Sequence, residues 1–110
     1  MSTTLGSIGQ VAPLATTLTT LVTVPAGKAV VCSSLVVCNR SAAATTFRVA
    51  VRVGGAAISD EHYLYYDVPI SGNTTFAATL GITLAAADVV SVYAGAATLS
   101  FNLFGQVITY

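Results

Sequence analysis

The sequence has very few charged side chains. Asp, Glu, Lys and Arg together make up 7% of its 110 residues, and the formal net charge is zero. An ordinary soluble domain has about a quarter of its residues charged. Because surface charge keeps folded proteins apart and a net charge near zero favours association, we expect much of the outer surface to be buried against other protein. The composition therefore predicts a subunit of an assembly.

The scarcity of cations also argues against nucleic-acid binding. Proteins that bind nucleic acid use many Lys and Arg side chains to displace counterions from the phosphates, whereas this chain has four, scattered along its length. The first residues lack the basic start and apolar stretch of a signal peptide. No run approaches the roughly 18 apolar residues of a membrane helix. We therefore expect neither nucleic acid nor a membrane as a partner.

Motifs of enzymes and of metal or cofactor sites are absent as well. The only histidine, His62, is too few for a metal site within one chain, although three copies could converge on a threefold axis. On a strand, Asp60 and His62 would point to the same side and could form a hydrogen bond. A hydrolase would need a nucleophile and an oxyanion hole as well, and no nucleophile elbow occurs. We expect no enzymatic activity, no cofactor and no metal, with His62 bonded to a carboxylate or a neighbouring subunit.

The chain has two cysteines, Cys32 and Cys38, within one predicted strand. At about 3.3 Å per residue, their Cα atoms would lie roughly 20 Å apart. Bridged cysteines have Cα atoms within about 7 Å of each other. We therefore expect no internal disulfide and two reduced thiols that act as small core residues. A bridge between subunits is the alternative.

Short apolar runs separated by turn residues predict an all-β chain. Val and Thr, which fit a pleated strand better than a helix, are abundant. In the predicted strand 46–53, apolar side chains at alternate positions would face the core, and Arg48, Ala50 and Arg52 would face outward. Gly54 and Gly55 would supply the positive φ angles of a tight hairpin. We expect a single antiparallel β-sandwich or jelly-roll-like domain of about seven or eight strands. The other predicted strands are 17–24, 29–39, 60–68, 75–84, 89–94 and a last strand with Leu99, Phe101 and Leu103 inward.

The first sixteen residues do not show this alternation. They are rich in Ser, Thr, Ala and Gly, and their apolar positions are scattered. We expect residues 1–16 to form an N-terminal arm or an irregular edge segment, and residues 17–110 to form the β-sandwich domain.

The outward positions of the predicted strands carry Thr, Ser, Ala and Gly. A solvated strand face usually shows Lys, Glu or Arg, and exposed sheet edges are usually blunted with charge. Small side chains allow another subunit to approach closely. This pattern favours a symmetric homo-oligomer, and we expect a trimer.

Aromatic and basic side chains concentrate between residues 48 and 67. Tyr is enriched at protein interfaces because its large apolar ring ends in a polar hydroxyl, and Arg is well suited to donate hydrogen bonds there. We predict a protein interface, with a sugar-binding platform of tyrosines, including Tyr93 and Tyr110, as the alternative. The predicted interface residues are Arg48, Arg52, His62, Tyr63, Tyr65, Tyr66 and Asp67.

Five segments carry a resemblance to a known family, and the run His-Tyr-Leu-Tyr-Tyr-Asp is the most specific of their motifs. In these segments the chain resembles a family of small virion proteins encoded by tailed bacteriophages, including cyanophages, and by related prophages. The resemblance implies a component of the virion that is assembled in the host cytoplasm, and it brings no catalytic residues. The segments are Val36–Ser41, Thr46–Arg52, His62–Pro69, Leu84–Ala94 and Leu99–Gly105.

Composition, strand pattern and resemblance together predict a non-enzymatic virion structural protein. We expect it to form a homotrimer and to bind other virion proteins on the tail, as a fibre-associated or baseplate-associated component. A head decoration (cement) protein that clamps capsid subunits is the first alternative. A module that binds glycans of the host surface is the second.

Overall fold

The computed structural model describes residues 1–110, which form eight β-strands and two short 3-10 turns. The turns, Val53–Gly55 and Asp60–His62, both lie between the fourth and fifth strands. No helix of the chain has the length and apolar character needed to cross a membrane. The strands are β1 (Ser2–Val11), β2 (Thr19–Thr23), β3 (Lys28–Asn39), β4 (Thr45–Arg52), β5 (Tyr63–Ile70), β6 (Thr75–Leu84), β7 (Val89–Ala94) and β8 (Leu99–Thr109).

The strands form two four-stranded antiparallel sheets. The first sheet has the order β1-β8-β3-β6, and the second has the order β2-β7-β4-β5. Most connections cross from one sheet to the other, and this interleaved order is that of a jelly roll. The prediction of a single antiparallel sandwich or jelly-roll-like domain of seven or eight strands is therefore confirmed.

The core lies between the two sheets and is built from alternate residues of their strands. In β8, the predicted inward residues Leu99, Phe101 and Leu103 are at most 1% exposed. Phe101 of the first sheet meets Phe47 of the second, with ring centroids 6.1 Å apart. Because complete burial of such a side chain contributes about 1.5–3 kcal/mol, the single cluster of 16 buried residues holds the two sheets together.

The N-terminal segment forms a strand at the edge of the first sheet. Strand β1 pairs with β8 along its whole length, with one irregularity at Ile8. An arm or irregular edge segment was predicted for residues 1–16, whereas Ser2–Val11 form a strand. The reason is physical: most of β1 is exposed on both faces, so no alternation of apolar residues marks it.

The connection between β4 and β5 also differs from the predicted tight hairpin. Gly54 and Gly55 do adopt positive φ angles, of 66° and 72°. However, the chain continues through the two 3-10 turns before β5 begins. Residues 60–62 therefore lie in a turn and not in the strand predicted for residues 60–68.

The two central strands of the first sheet approach each other closely at a bulge. The register of β3 against β8 shifts between Cys32 and Ser34. A Cβ atom added to Gly105 of β8 would overlap the carbonyl oxygen of Val31. A glycine is therefore required where these strands pass.

Cys32 and Cys38 are both free thiols on β3, so no internal disulfide forms. Cys32 belongs to the core, and this burial raises the pKa of its thiol to about 11. Cys38 is half-buried and points to the opposite side of the sheet, beside Thr75 and Ser100. The expectation that both thiols lie in the core holds for Cys32 alone.

We predict that the two thiols differ strongly in reactivity. The thiolate is the reactive form, and both burial and the raised pKa suppress it at Cys32. A thiol-alkylating reagent near pH 8 should modify Cys38 in the native protein and Cys32 only after unfolding, as read by peptide mass spectrometry. The Cys38→Ser variant, as the control, should take up no label while folded. Equal labelling of the two native thiols would contradict the packing.

The same pKa shift predicts a loss of stability in alkali. Since the folded state favours the protonated thiol, Cys32 contributes stability that is fully present below the ordinary thiol pKa of 9.0. This contribution should be lost as the pH rises through about 11.

Candidate functional site

Outward-facing side chains of the second sheet form a compact polar and aromatic group. Arg48 on β4 lies opposite Tyr93 on β7 in the strand register. The other members, Tyr63, Tyr66 and Asp67, come from β5, and Tyr63 and Tyr66 meet edge to face with ring centroids 4.9 Å apart. We refer to these five residues as the tyrosine–arginine cluster.

Arg48 is the centre of the tyrosine–arginine cluster. Its Nε donates a hydrogen bond of 2.7 Å to Oδ1 of Asp67, and its Nη2 donates one of 3.3 Å to Oδ2. Its guanidinium carbon lies 4.1 Å from the ring centroid of Tyr66 and 4.3 Å from that of Tyr93. The fork of donors on one carboxylate and the two rings together fix the position of this side chain.

The hydrogen bond that Arg48 donates to the carboxylate of Asp67 raises the pKa of Arg48 above its usual value. The two side chains are 22% and 44% exposed, respectively. Exposed ion pairs contribute about 1 kcal/mol or less to stability because water and salt screen them. The main effect of the pair is therefore to hold Arg48 and the neighbouring rings in one arrangement.

A shallow depression of about 470 Å³ lies beside the tyrosine–arginine cluster and is lined by Asp60, Tyr63 and Tyr66. Tyr66 is 57% exposed, which is high for a large aromatic side chain. The carboxylate of Asp60 forms no ion pair within the chain. Aromatic walls with an available carboxylate can contact an apolar surface and accept hydrogen bonds from hydroxyl or amide groups.

The turn before β5 is held by its own hydrogen bonds. The backbone N–H of Ser59 donates a bond of 3.1 Å to Nδ1 of His62. The hydroxyl of Ser59 donates to the carboxylate of Glu61, which lowers the pKa of Glu61. The predicted pair between Asp60 and His62 is not formed, because the two residues lie in a 3-10 turn and do not share one side of a strand.

Arg52, although it was predicted as an interface residue, bonds within the chain. Its Nη1 donates to the carbonyl oxygens of Gly55 at 3.1 Å and of Ala56 at 2.9 Å. Its Nε donates to the hydroxyl of the buried Ser91 at 3.2 Å. These bonds fasten the β4–β5 connection to the sheet and leave Arg52 half-buried.

Tyr65 also departs from its predicted role, because its ring faces the core. The ring centroid lies 6.3 Å from that of Phe47 and 5.6 Å from that of Phe76. The register of β5 against β4 shifts twice, and Asp67 has a positive φ of 50°. These irregularities break the simple alternation, so sequence spacing alone misassigns which tyrosines share a face.

The structure brings together four of the predicted interface residues, namely Arg48, Tyr63, Tyr66 and Asp67. It places Arg52, His62 and Tyr65 in internal contacts. Tyr93 and Asp60 were not among the predicted interface residues. The alternation of β7 places Tyr93 outward, but its position opposite Arg48 depends on strand pairing that a single sequence does not contain.

The outer face of the first sheet is different in character, because it carries no charged residue. Its nearest charged residues, Lys28 and Arg40, lie at the two ends of β3. We call this surface the uncharged face. Its outward residues are Thr3, Leu5, Ser7 and Gln10 on β1; Ala29, Val31, Ser34, Val36 and Cys38 on β3; Thr75, Ala77, Thr79, Gly81 and Thr83 on β6; and Ser100, Asn102, Phe104, Gln106 and Ile108 on β8.

No group of three or more His, Cys, Asp or Glu side chains in the chain is arranged to hold a metal ion.

Asp88, in the turn between β6 and β7, is a buried carboxylate that accepts hydrogen bonds from two backbone N–H groups. This carboxylate is 7% exposed and accepts hydrogen bonds from the backbone N–H groups of Gly54 at 2.8 Å and of Ala85 at 2.9 Å. It thereby joins the turn between β6 and β7 to the start of the β4–β5 connection.

We predict that Asp88→Ala destabilises the protein by about 1–3 kcal/mol, because it leaves two backbone donors without their acceptor. Asp67→Ala is the matched control, since it removes a partly exposed carboxylate, and it should cost about 1 kcal/mol or less. Urea unfolding of the two variants measures both values. A larger loss for Asp67→Ala than for Asp88→Ala would contradict these assignments.

No protein-family model, no curated protein and no solved structure matches this chain. The structural features that bear on function are the tyrosine–arginine cluster with its depression and the uncharged face.

Proposed function

We propose that this protein is a non-enzymatic structural subunit of a tailed-bacteriophage virion. It self-associates into a symmetric homo-oligomer, a trimer, and docks on the tail as a fibre-associated or baseplate-associated component. The observation that carries the self-association is the uncharged face, a four-stranded sheet surface with no charged side chain. Solvated sheet faces usually carry charge, so this one is suited to contact with protein.

The size of the uncharged face supports this use. Four strands spaced by about 4.8 Å, each about ten residues long at about 3.3 Å per residue, cover roughly 600 Å². A standard stable interface buries about 800 Å² on each partner. The face is therefore large enough to supply most of an interface between two copies. Leu5, Phe104 and Ile108 are its largest apolar side chains and the natural centre of such a contact.

The opposite side of the molecule has the chemistry of a surface for a different partner. The tyrosine–arginine cluster presents aromatic rings and an arginine, side chains that are enriched at protein interfaces, and Asp67 holds the arginine in place. Asp60, in the turn before β5, lines the depression beside this cluster. We assign this side to contact with other virion proteins, and the uncharged face to contact between copies.

The virion assignment itself rests on the resemblance of five sequence segments to small phage virion proteins. The jelly roll is compatible with it, because this architecture recurs in viral capsid proteins. That argument is an analogy of fold, and the same fold serves many functions. The resemblance leaves the place on the particle open, and a head decoration protein is the alternative within the same class.

Quantitative mass spectrometry of purified virions tests this proposal. We expect a low copy number relative to the major capsid protein, in small multiples of three or six. A ratio near one copy for each one or two capsid subunits would assign the protein to the head as cement. Absence from purified particles, while the protein is present in infected-cell lysate, would overturn the virion proposal. Light scattering of the isolated protein should give an oligomer, and a monomer at all concentrations would overturn self-association.

One observation favours a second function, the binding of host glycans. The depression between Asp60, Tyr63 and Tyr66 combines two aromatic walls with a carboxylate that has no ion-pair partner. The apolar face of a sugar ring packs against aromatic rings, and its hydroxyls can donate to a carboxylate. Since Asp67 already neutralises Arg48, a neutral sugar fits this depression better than an anionic one.

A glycan array tests this second function. We expect Tyr66→Ala and Tyr63→Ala to lose at least tenfold in affinity for any neutral glycan that the wild type binds. Tyr110→Ala is the matched control, because it removes an exposed tyrosine outside the depression, and its binding should be unchanged. If no neutral glycan binds, or if all three variants behave alike, the depression has no such role.

A further inference from the structure

The first sheet leaves both of its edge strands open. Strands β1 and β6 are each ten residues long, and neither contains a charged residue or a proline. An edge strand presents a row of unpaired backbone N–H and C=O groups that another strand can pair with. Folded proteins usually prevent this with charged side chains, proline, bulges or very short edge strands. Of these devices, only bulges occur at the two edges: β1 has the irregularity beside Ile8, and β6 has a register shift between Thr79 and Ile82, where Gly81 has a positive φ of 61°.

The second sheet of the same molecule shows what protected edges look like. Its edge strand β2 is five residues long. Its other edge strand, β5, contains Pro69 and Asp67, and its register against β4 shifts twice. The two sheets have the same number of strands, but only the edge strands of the second are protected by shortness, proline or charge. This contrast points to pairing at the edges of the first sheet alone.

Core side chains at both open edges are incompletely covered. On β6, Phe76, Leu80 and Ile82 pack against the core but are only half-buried. On β1, Ile8 and Val11 are in the same situation. A strand added beyond each edge would remove more of this apolar surface from water, which is favourable.

The directions of the edge strands determine which of them can pair so that the antiparallel sheet continues. All neighbouring pairs in the first sheet are antiparallel, so β1 and β6 run in opposite directions. If a second copy continues the sheet in the same orientation, its β1 lies antiparallel to β6 of the first copy. The two strands also have the same length. Aligning their ends places Ser7 opposite Thr79, and both residues belong to the uncharged face.

We propose that β6 of one copy pairs with β1 of the next, so that the first sheet continues from subunit to subunit. This inference rests on the proposed function and deepens it, because it adds to the contact through the uncharged face a specific joint between sheet edges, with a second copy of this chain as the partner. With this pairing, a single type of contact uses both open edge strands of every copy. Pairing of like edges, by contrast, would need two kinds of joint. If the rotation between copies closes, the result is a ring such as a trimer with no free edge.

The strength of a single joint is expected to be modest. A ladder of ten residues buries less than the 800 Å² or so per partner of a standard interface. Ring closure adds a second joint to each copy and makes the last contact intramolecular, which raises its effective concentration. We therefore expect the oligomer to be a closed ring that dissociates on dilution.

Disulfide trapping tests the joint directly. Ser7→Cys and Thr79→Cys are prepared separately, each with Cys38→Ser to remove the accessible native thiol. The two proteins are then mixed and oxidised, and the products are identified by mass spectrometry. We expect a disulfide between the two variants, because opposed residues on paired strands bring their Cα atoms within the roughly 7 Å that a bridge requires. Ser100→Cys, on the same face but in the interior strand β8, is the matched control and should not cross-link to either.

The outcomes separate this inference from the proposed function. A disulfide that forms only between two copies of Thr79→Cys, or only between two copies of Ser7→Cys, would overturn the joint in favour of like-edge pairing. An oligomer by light scattering with no cross-link from either variant would overturn the joint and leave self-association standing. If the register of the joint is shifted by two residues, Leu5 lies opposite Thr79, and a disulfide between Leu5→Cys and Thr79→Cys would detect this. Slower amide exchange in both β1 and β6 on oligomerisation would support the joint independently, and unchanged exchange would oppose it.

Discussion

The packing of the two sheets on each other is the interaction on which the rest of the structure depends. Phe47 of the second sheet contacts Phe101 and Phe76 of the first, with ring centroids 6.1 and 5.1 Å away. Successive residues of a strand point to opposite faces. When one residue of a strand is buried in this core, its two neighbours therefore face outward. The outward residues of the first sheet carry no charge, and those of the second sheet include the tyrosine–arginine cluster.

The buried polar side chains all have hydrogen-bond partners within the chain, so they are not available to bind another protein. The buried Asn39 donates to the carbonyl oxygens of Ala43 and Ser71 and accepts bonds from the backbone of Ser41 and the hydroxyl of Thr98. No buried side-chain nitrogen or oxygen lacks a hydrogen-bond partner. Leaving such a group unpaired costs about 1–3 kcal/mol. The backbone N–H and C=O groups along the open sheet edges, by contrast, are available to pair with another strand.

Much of the fold could be predicted from sequence because the period of two is strong where one face of a strand is buried. Strand β6 was located with its exact bounds by this pattern, and the inward residues of β8 were identified correctly. The pattern fails where burial is slight, as in β1, and where a bulge shifts its phase, as at Asp67. For the same reason the predicted interface included both Tyr65 and Tyr66, although the ring of Tyr65 packs against the core and that of Tyr66 lies outside beside Arg48. The partnership of Arg48 with Tyr93 depends on strand order, which local pattern does not encode.

The absence of charge on the first sheet and the lack of protection at its edge strands both indicate an assembly that is joined through the first sheet. The open edges β1 and β6 border the uncharged face, so joining them between copies would extend that face without interruption. The tyrosine–arginine cluster lies on the other sheet, and every copy would present it on the same side of the assembly. In such an assembly the first sheet, with its uncharged face and open edges, supplies the contacts between copies, and the aromatic side with paired charges lies on the other sheet. Two chemically distinct sides allow self-association and docking on a different protein to proceed without competing for the same surface, and a structural subunit of a larger particle requires this separation.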